Sequence, residues 1–201
     1  PHPSVRQSSA KAVGTLAKSI GEHRISNMME WLHQNLEKGK ESTVERSGAA
    51  QTMSEIIAAQ GPQRLSQIMP QLLEKISATD ISQTFVKHGY LQVFIYLPAL
   101  MKSKFEPFLT DCLPRILDCL SDNEEMVRDT AMNSSKVIIE LYATSAVTML
   151  VPALEQGLQS AEYRVRLNTL VLLLDFFRKI SSEHSDEAIA KKAAEEAERA
   201  A

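Results

Sequence analysis

A chain of 201 residues is long enough for one large domain or one continuous array. Its composition, 44% hydrophobic and 23% charged, is ordinary for a soluble globular protein. The net charge of −3 supplies no general pull toward nucleic acid, so any such contact must come from a local patch.

Helical periodicity dominates from the first residues on. The spacing predicts helices over 4–20, 24–37, 42–60, 62–77, 80–101, 105–120, 123–142, 144–159 and 161–181. Ile68, Leu72, Leu73 and Ile76 follow one another at intervals of 4, 1 and 3, which makes a single apolar stripe. Ile116, Leu117 and Leu120, then Val127, Ala131 and Ile138, obey the same logic. Ser42, Asp80 and Asp122 stand where an N-cap is expected. Gly21 and Gly61 follow apolar stripes, as helix-ending glycines do. No alternating run is long enough to require a strand.

A phrase returns about every 40 residues at the start of alternate helices. It reads Val5-Arg6-Gln7-Ser8-Ser9-Ala10, Glu45-Arg46-Ser47-Gly48-Ala49-Ala50, Val86-Lys87-His88-Gly89-Tyr90, Val127-Arg128-Asp129-Thr130-Ala131 and Val165-Arg166-Leu167-Asn168-Thr169. The basic positions are separated by 40, 41, 41 and 38. Small residues in these helices allow neighbours to approach closely. The other helices carry Pro70, Pro114 and Pro152, 44 and 38 apart, close to the same period. A mid-helix proline removes one hydrogen bond and bends the helix, which suits a curved array. The earliest such helix has Met29-Glu30-Trp31-Leu32 there instead. The expected architecture is therefore an all-α, curved solenoid of about four and a half helical hairpins over residues 1–182. A polar, Ala/Glu-rich extension, helical or disordered, follows over 183–201.

Cys112 and Cys119 are seven apart on one predicted helix, roughly 10 Å by helical rise, too far for a bridge. They read as buried thiols in a reducing compartment. No signal peptide or membrane-length apolar run is visible, and the opening Pro1-His2-Pro3 reads as part of a longer protein.

Helix pairs with Pro in the first helix and Val-Arg-x-x-Ala in the second resemble HEAT repeats. The likeness narrows over residues 44–180, which resemble the elongation-factor-three-like region of the general-control translational activators. The matching phrases are Arg46-Ser47-Gly48-Ala49-Ala50-Gln51-Thr52-Met53-Ser54-Glu55, His88-Gly89-Tyr90 leading to Phe94-Ile95-Tyr96-Leu97-Pro98, and Val127-Arg128-Asp129-Thr130-Ala131. Tyr142-Ala143 and Leu154-Glu155-Gln156-Gly157-Leu158 add to them. Lys87-His88-Gly89-Tyr90 departs from the family's usual Arg-Asp-Gly-Tyr, and Tyr163 stands where a Trp is usual. The resemblance implies a non-catalytic, cytoplasmic scaffold that binds ribosomes and promotes activation of the initiation factor two alpha kinase in amino-acid starvation. It further implies an ATP-binding-cassette partner, and a kinase-binding segment outside these residues.

The residues themselves add no catalytic constellation. There is no Gly-rich phosphate loop, so ATP binding is not expected. His2, His23, His33, His88 and His184 show no metal spacing. Helix-dipole stabilisation accounts for Glu124 and Glu125. Asp122 precedes Arg128 by six and Ser160 precedes Arg166 by six. In HEAT-like arrays such a turn residue bonds to the base of a neighbouring pair. Arg46, Lys87, Arg128 and Arg166, with Asp122, are thus expected to form an internal ladder. Trp31 is expected at an exposed end or in a core stripe.

Charge in the turns is asymmetric. Turns between pairs carry Arg24, Arg64, Lys102 and Lys104, the first three 40 and 38 apart. Turns within pairs carry Lys38 and Lys40, then Asp80, Asp122, Glu124, Glu125 and Glu162. The basic edge, diluted by Glu22 and Glu106, is the candidate ribosome contact through RNA phosphate, with Lys38 and Lys40 as a second patch. A HEAT adaptor of the transport or tubulin-binding class is the alternative. It ranks lower because Trp31 lies inside a predicted helix and three of the four within-pair turns are not basic. No convergent set of titratable residues supports an enzyme.

Overall fold

The computed structural model describes the backbone of residues 2–19, 22–80 and 83–200, and within these all side chains except those of 22–24 and 184–200. The helices are α1 (Pro3–Ala17), α2 (Glu22–Leu36), α3 (Thr43–Gln60), α4 (Pro62–Ile76), α5 (Thr84–Met101), α6 (Leu109–Asp118), α7 (Glu125–Tyr142), α8 (Val147–Leu158) and α9 (Tyr163–Ala200). No strand occurs among the described residues. Short 3-10 turns occupy Lys40–Ser42, Lys102–Phe108 and Cys119–Ser121.

These helices form two layers. In one, α1 packs on α3, α3 on α5, α5 on α7 and α7 on α9. In the other lie α2, α4, α6 and α8, each packed on the odd helix that follows it. The result is an all-α solenoid of four hairpins preceded by α1. Each α4-type stripe supplies the glue. Leu65, Ile68, Met69, Leu72, Leu73 and Ile76 of α4 are all buried, and so are Leu109, Leu113, Ile116 and Leu117 of α6. Burial of each such side chain contributes about 1.5–3 kcal/mol.

Small residues set the spacing. A Cβ on Gly14 would lie 2.8 Å from the Glu55 Cβ, so α1 reaches α3 only because position 14 has none. A Cβ on Gly89 would collide with the backbone carbonyl of Leu36, where α5 crosses the end of α2. Pro70, Pro114 and Pro152 lie inside α4, α6 and α8.

Several expected boundaries are corrected. Residues 105–108 are not α-helical: Pro107 has no N–H to give, and the stretch winds as a 3-10 turn. The fifth helix begins at Thr84, so Asp80 is not its N-cap, and Gln83 holds that position without a side-chain bond. Ser42 occupies the N-cap of α3 but makes no capping bond. Asp122 makes a turn before α7 instead of capping it, its Oδ1 accepting from the Glu124 N–H at 3.0 Å. The unforeseen cap is His2, whose Nδ1 accepts from the Ser4 N–H at 3.4 Å ahead of Pro3 at the helix start. Gly61 does end α3, with φ 88°, whereas Gly21 lies outside the described residues. Residues 161–162 form a bend before α9. This helix does not stop at Ser181 but runs on to Ala200, since no Gly or Pro follows Gly157 and the Ala/Glu/Lys composition favours helix. Cys112 and Cys119 are both buried and free.

Candidate functional site

Four of the repeating bases turn inward. Arg46 is fully buried in α3, a position that demands partners for every N–H. Its Nη1 donates to the Lys38 carbonyl at 2.9 Å and also to the Gly39 carbonyl. Its Nη2 donates to Thr43 Oγ1 at 3.2 Å and its Nε to His88 Nδ1 of the next pair at 3.0 Å. The Phe85 ring lies 5.4 Å from the guanidinium carbon. Arg128 Nη1 donates to the carbonyls of Asp122 and Asn123, both at 2.7 Å. Arg166 Nη1 does the same to Ser160 and Ala161, both at 2.8 Å. Each arginine thus ties off the backbone of the turn that leads into its own helix. The turn side chains meet main-chain N–H groups instead: Ser160 Oγ accepts from the Glu162 N–H at 3.2 Å, as Asp122 does from Glu124. The expected bond between a turn side chain and a neighbouring base occurs once in this set. Lys87 Nζ lies 2.7 Å from Asp122 Oδ2, linking α5 to the next pair.

Desolvation, then the adjacent Arg46 charge, lowers the His88 pKa to about 4, so the ring is neutral near pH 7. Because the arginine always donates, Nδ1 is the bare nitrogen and Nε2 carries the proton. The Gln92 amide nitrogen lies 3.3 Å from the bare Nδ1, to which it can donate. Beside this cluster, Tyr90 Oη lies 2.6 Å from His33 Nδ1 and donates to Glu37 Oε1 at 3.3 Å, and Glu37 in turn holds Lys75 Nζ at 2.6 Å. Burial, followed by Glu37, raises the Tyr90 pKa; burial lowers that of His33.

Further pairs across the stack were not anticipated. Arg115 Nη1 donates to Ser77 Oγ at 3.3 Å, Ser145 Oγ to Glu106 Oε1 at 2.8 Å and Lys179 Nζ to Glu140 Oε1 at 2.9 Å. With Lys75–Glu37 these pairs span 38, 39, 39 and 38 residues. Polar complements one repeat apart were the signal that could have found them.

The expected basic edge is only partly free. The Arg24 side chain lies outside the described residues. Arg64 is half-buried: its Nη1 donates to Gln67 Oε1 at 3.4 Å, and its Nε is buried without a hydrogen-bond partner among the described residues. Lys102 and Lys104 are exposed, as are Lys38 and Lys40 on the opposite edge. None of these four ammonium groups has a partner among the described residues. Trp31 is 58% exposed at the leading end, where it lines a groove of about 790 Å³ with Val5, Val44 and Gly48. At the other end, Tyr163, Leu167, Leu170, Leu174 and Phe177 form an exposed stripe along α9. No group of three metal-binding side chains occurs among the described residues. No helix among them is long and apolar enough to cross a membrane.

Two layers of stacked hairpins, with turns fastened by inward-facing arginines at the repeat interval and successive pairs joined by Arg46–His88 and Lys87–Asp122, define an α-solenoid of the HEAT class. The family model described as EF3 N-terminal HEAT repeat matches residues 46–189, and the chain belongs to that family. It is 39% identical over 181 residues, 90% of its length, to the stalled ribosome sensor GCN1 of Mus musculus and equally to that of Homo sapiens. It is 33% identical over 187 residues, 93% of its length, to the eIF-2-alpha kinase activator GCN1 of Dictyostelium discoideum. The chain spans 7% of the length of each of these curated relatives.

Proposed function

We propose that this chain is a non-catalytic scaffold segment of a cytoplasmic translational activator, which holds the ribosome and promotes activation of the initiation factor two alpha kinase when amino acids are scarce. The observation that carries the reading is the likeness, over nine-tenths of the chain, to relatives named for ribosome sensing and kinase activation. The disposition of charge supports it. The repeating bases Arg46, Arg128 and Arg166 are engaged by carbonyls of the turns that lead into their own helices, which stiffens those turns. Lys102 and Lys104 remain exposed on the edge between pairs, and Lys38 and Lys40 on the other. Ribosomal RNA phosphate is the proposed ligand of the first edge, with Arg24 and Arg64 at its margin. An ATP-binding-cassette protein is the second proposed partner, and the kinase contact is assigned to residues outside this segment. Co-sedimentation with ribosomes over a salt series tests the reading. Reversing Lys102 and Lys104 should weaken binding and flatten its salt dependence, and equal binding by both forms refutes it.

A further inference from the structure

The turns that close α3 and α5 differ at one position. Each helix ends on a residue of positive φ whose N–H closes the last turn: Gly61 on the Ile57 carbonyl, and Lys102 on the Pro98 carbonyl. The two positions are 41 apart, one repeat. Gly61 has φ 88°, which a residue without Cβ adopts freely. Lys102 has φ 52° and ψ −133°, and it is the one non-glycine of positive φ among the described residues. A Cβ in that region crowds the neighbouring backbone, and such strain persists only where the surroundings impose it.

Tyr142 imposes it here. Its hydroxyl, projecting from the end of α7, lies 2.9 Å from both the Pro98 and the Lys102 carbonyls and shares its proton between them. The next turn in the series takes another path, with Ala143 at φ −56°. A glycine at 102 would keep every one of these backbone bonds without strain, as Gly61 does one repeat earlier. The backbone therefore gives no reason for a side chain, and the reason must lie at its far end. That end is a solvent-exposed ammonium two residues from a second one, on Lys104. Glu106, the nearest carboxylate in sequence, accepts from Ser145 Oγ at 2.8 Å and pairs with neither lysine among the described residues. Phe105 is fully buried, so its ring offers no stacking face.

We infer that Lys102 is a phosphate-anchoring residue: the strained turn clamped by Tyr142 presents its ammonium, with that of Lys104, to the backbone of an RNA. Charge without an aromatic platform or amide fork reads phosphates and not bases. The inference rests on the ribosome-binding reading and narrows it to one turn.

The test uses the 201-residue chain with K102G and K102R variants, measuring thermal unfolding and binding to a short labelled RNA duplex, to purified ribosomes and to polyglutamate. K102G should raise Tm by about 2–4 °C, because strain is relieved. The same variant should bind RNA about 3–10-fold more weakly, with a salt slope shallower by about one. K102R, which keeps both strain and charge, should match the unaltered chain in both readouts. A higher Tm with unchanged RNA binding overturns the inference but leaves the ribosome reading standing. An unchanged or lower Tm for K102G overturns it too, by removing the strain. Polyglutamate binding as tight as RNA binding overturns the phosphate assignment. Absence of salt-dependent binding by the unaltered chain to RNA and ribosomes overturns both readings together.

Discussion

Lys87 Nζ and Asp122 Oδ2 meet at 2.7 Å, one on α5 and the other in the turn before α7. Both side chains are nearly covered, at 14% and 12% exposure, so water screens the pair little. Asp122 also accepts from the Glu124 N–H and, through its own carbonyl, from Arg128. One residue thereby joins two successive hairpins. In a double-mutant cycle of K87M and D122N, read by urea unfolding, the pair should show a coupling of about 1–2 kcal/mol. Additive single effects would mean that the contact carries no stability.

Arg46 is the most heavily committed base. Its fork reaches two turn carbonyls, the Thr43 hydroxyl and His88. A lysine has the charge but one nitrogen, so it leaves several buried acceptors bare. R46K should therefore destabilise the chain by about 2–4 kcal/mol, measured as a fall in the urea midpoint. R46K within about 0.5 kcal/mol of the unaltered chain would contradict the network as described.

The buried His88 gives the fold a pH dependence whose sign follows from its depressed pKa, about 4 against 6.5 for an ordinary histidine. Between these values the unfolded chain binds a proton that the folded chain does not. Stability from this site is thus complete above about pH 6.5 and is lost as the pH falls toward about 4. Protonation would also turn the Nδ1 acceptor into a donor facing Arg46. H88N supplies an acceptor near the same place but does not titrate. Thermal unfolding followed from pH 7 to pH 4 should fall less steeply for H88N than for histidine, and parallel curves would exclude His88 as the source.

Gly89 admits the end of α2, and the atom in the way of a Cβ is the Leu36 backbone carbonyl. Backbone cannot swing aside as a side chain can, so G89A must push α5 off α2. An expected loss of about 2–4 kcal/mol, against a small helix-propensity gain, is checked by thermal unfolding. A more stable G89A would show that the two helices have room to spare.

How much of this was legible in the sequence follows from the kind of signal involved. The hairpin order was legible because apolar stripes such as Leu72, Leu73 and Ile76 recur with helical spacing and the Arg phrase recurs with the repeat. The inward direction of the bases was legible from their place at helix starts. Their partners were not, because main-chain carbonyls such as those of Asp122 and Ser160 leave no mark on residue identity. The 3-10 stretch after Met101 was hidden for a different reason: its apolar residues keep a helix-like rhythm, and Pro107 alone hints at a break. Spacing places Arg64 along the array but does not report the depth of its side chain, which is half-buried. The strain at Lys102 has no sequence signature beyond the contrast with Gly61 one repeat earlier.

In the proposed reading labour is divided: the repeating bases fasten the turns and, through Arg46 and Lys87, join successive hairpins, whereas lysines in the turns between pairs contact the ribosome. Ribosome co-sedimentation over a salt series, run beside thermal unfolding, separates the two roles. The K102E/K104E pair should lower ribosome affinity by about tenfold or more and leave Tm within a few degrees. R128M/R166M should lower Tm by about 4–8 °C, and the fraction still folded should bind with unchanged salt dependence. The opposite pattern, full binding by K102E/K104E and loss of salt-dependent binding by folded R128M/R166M, would contradict the account.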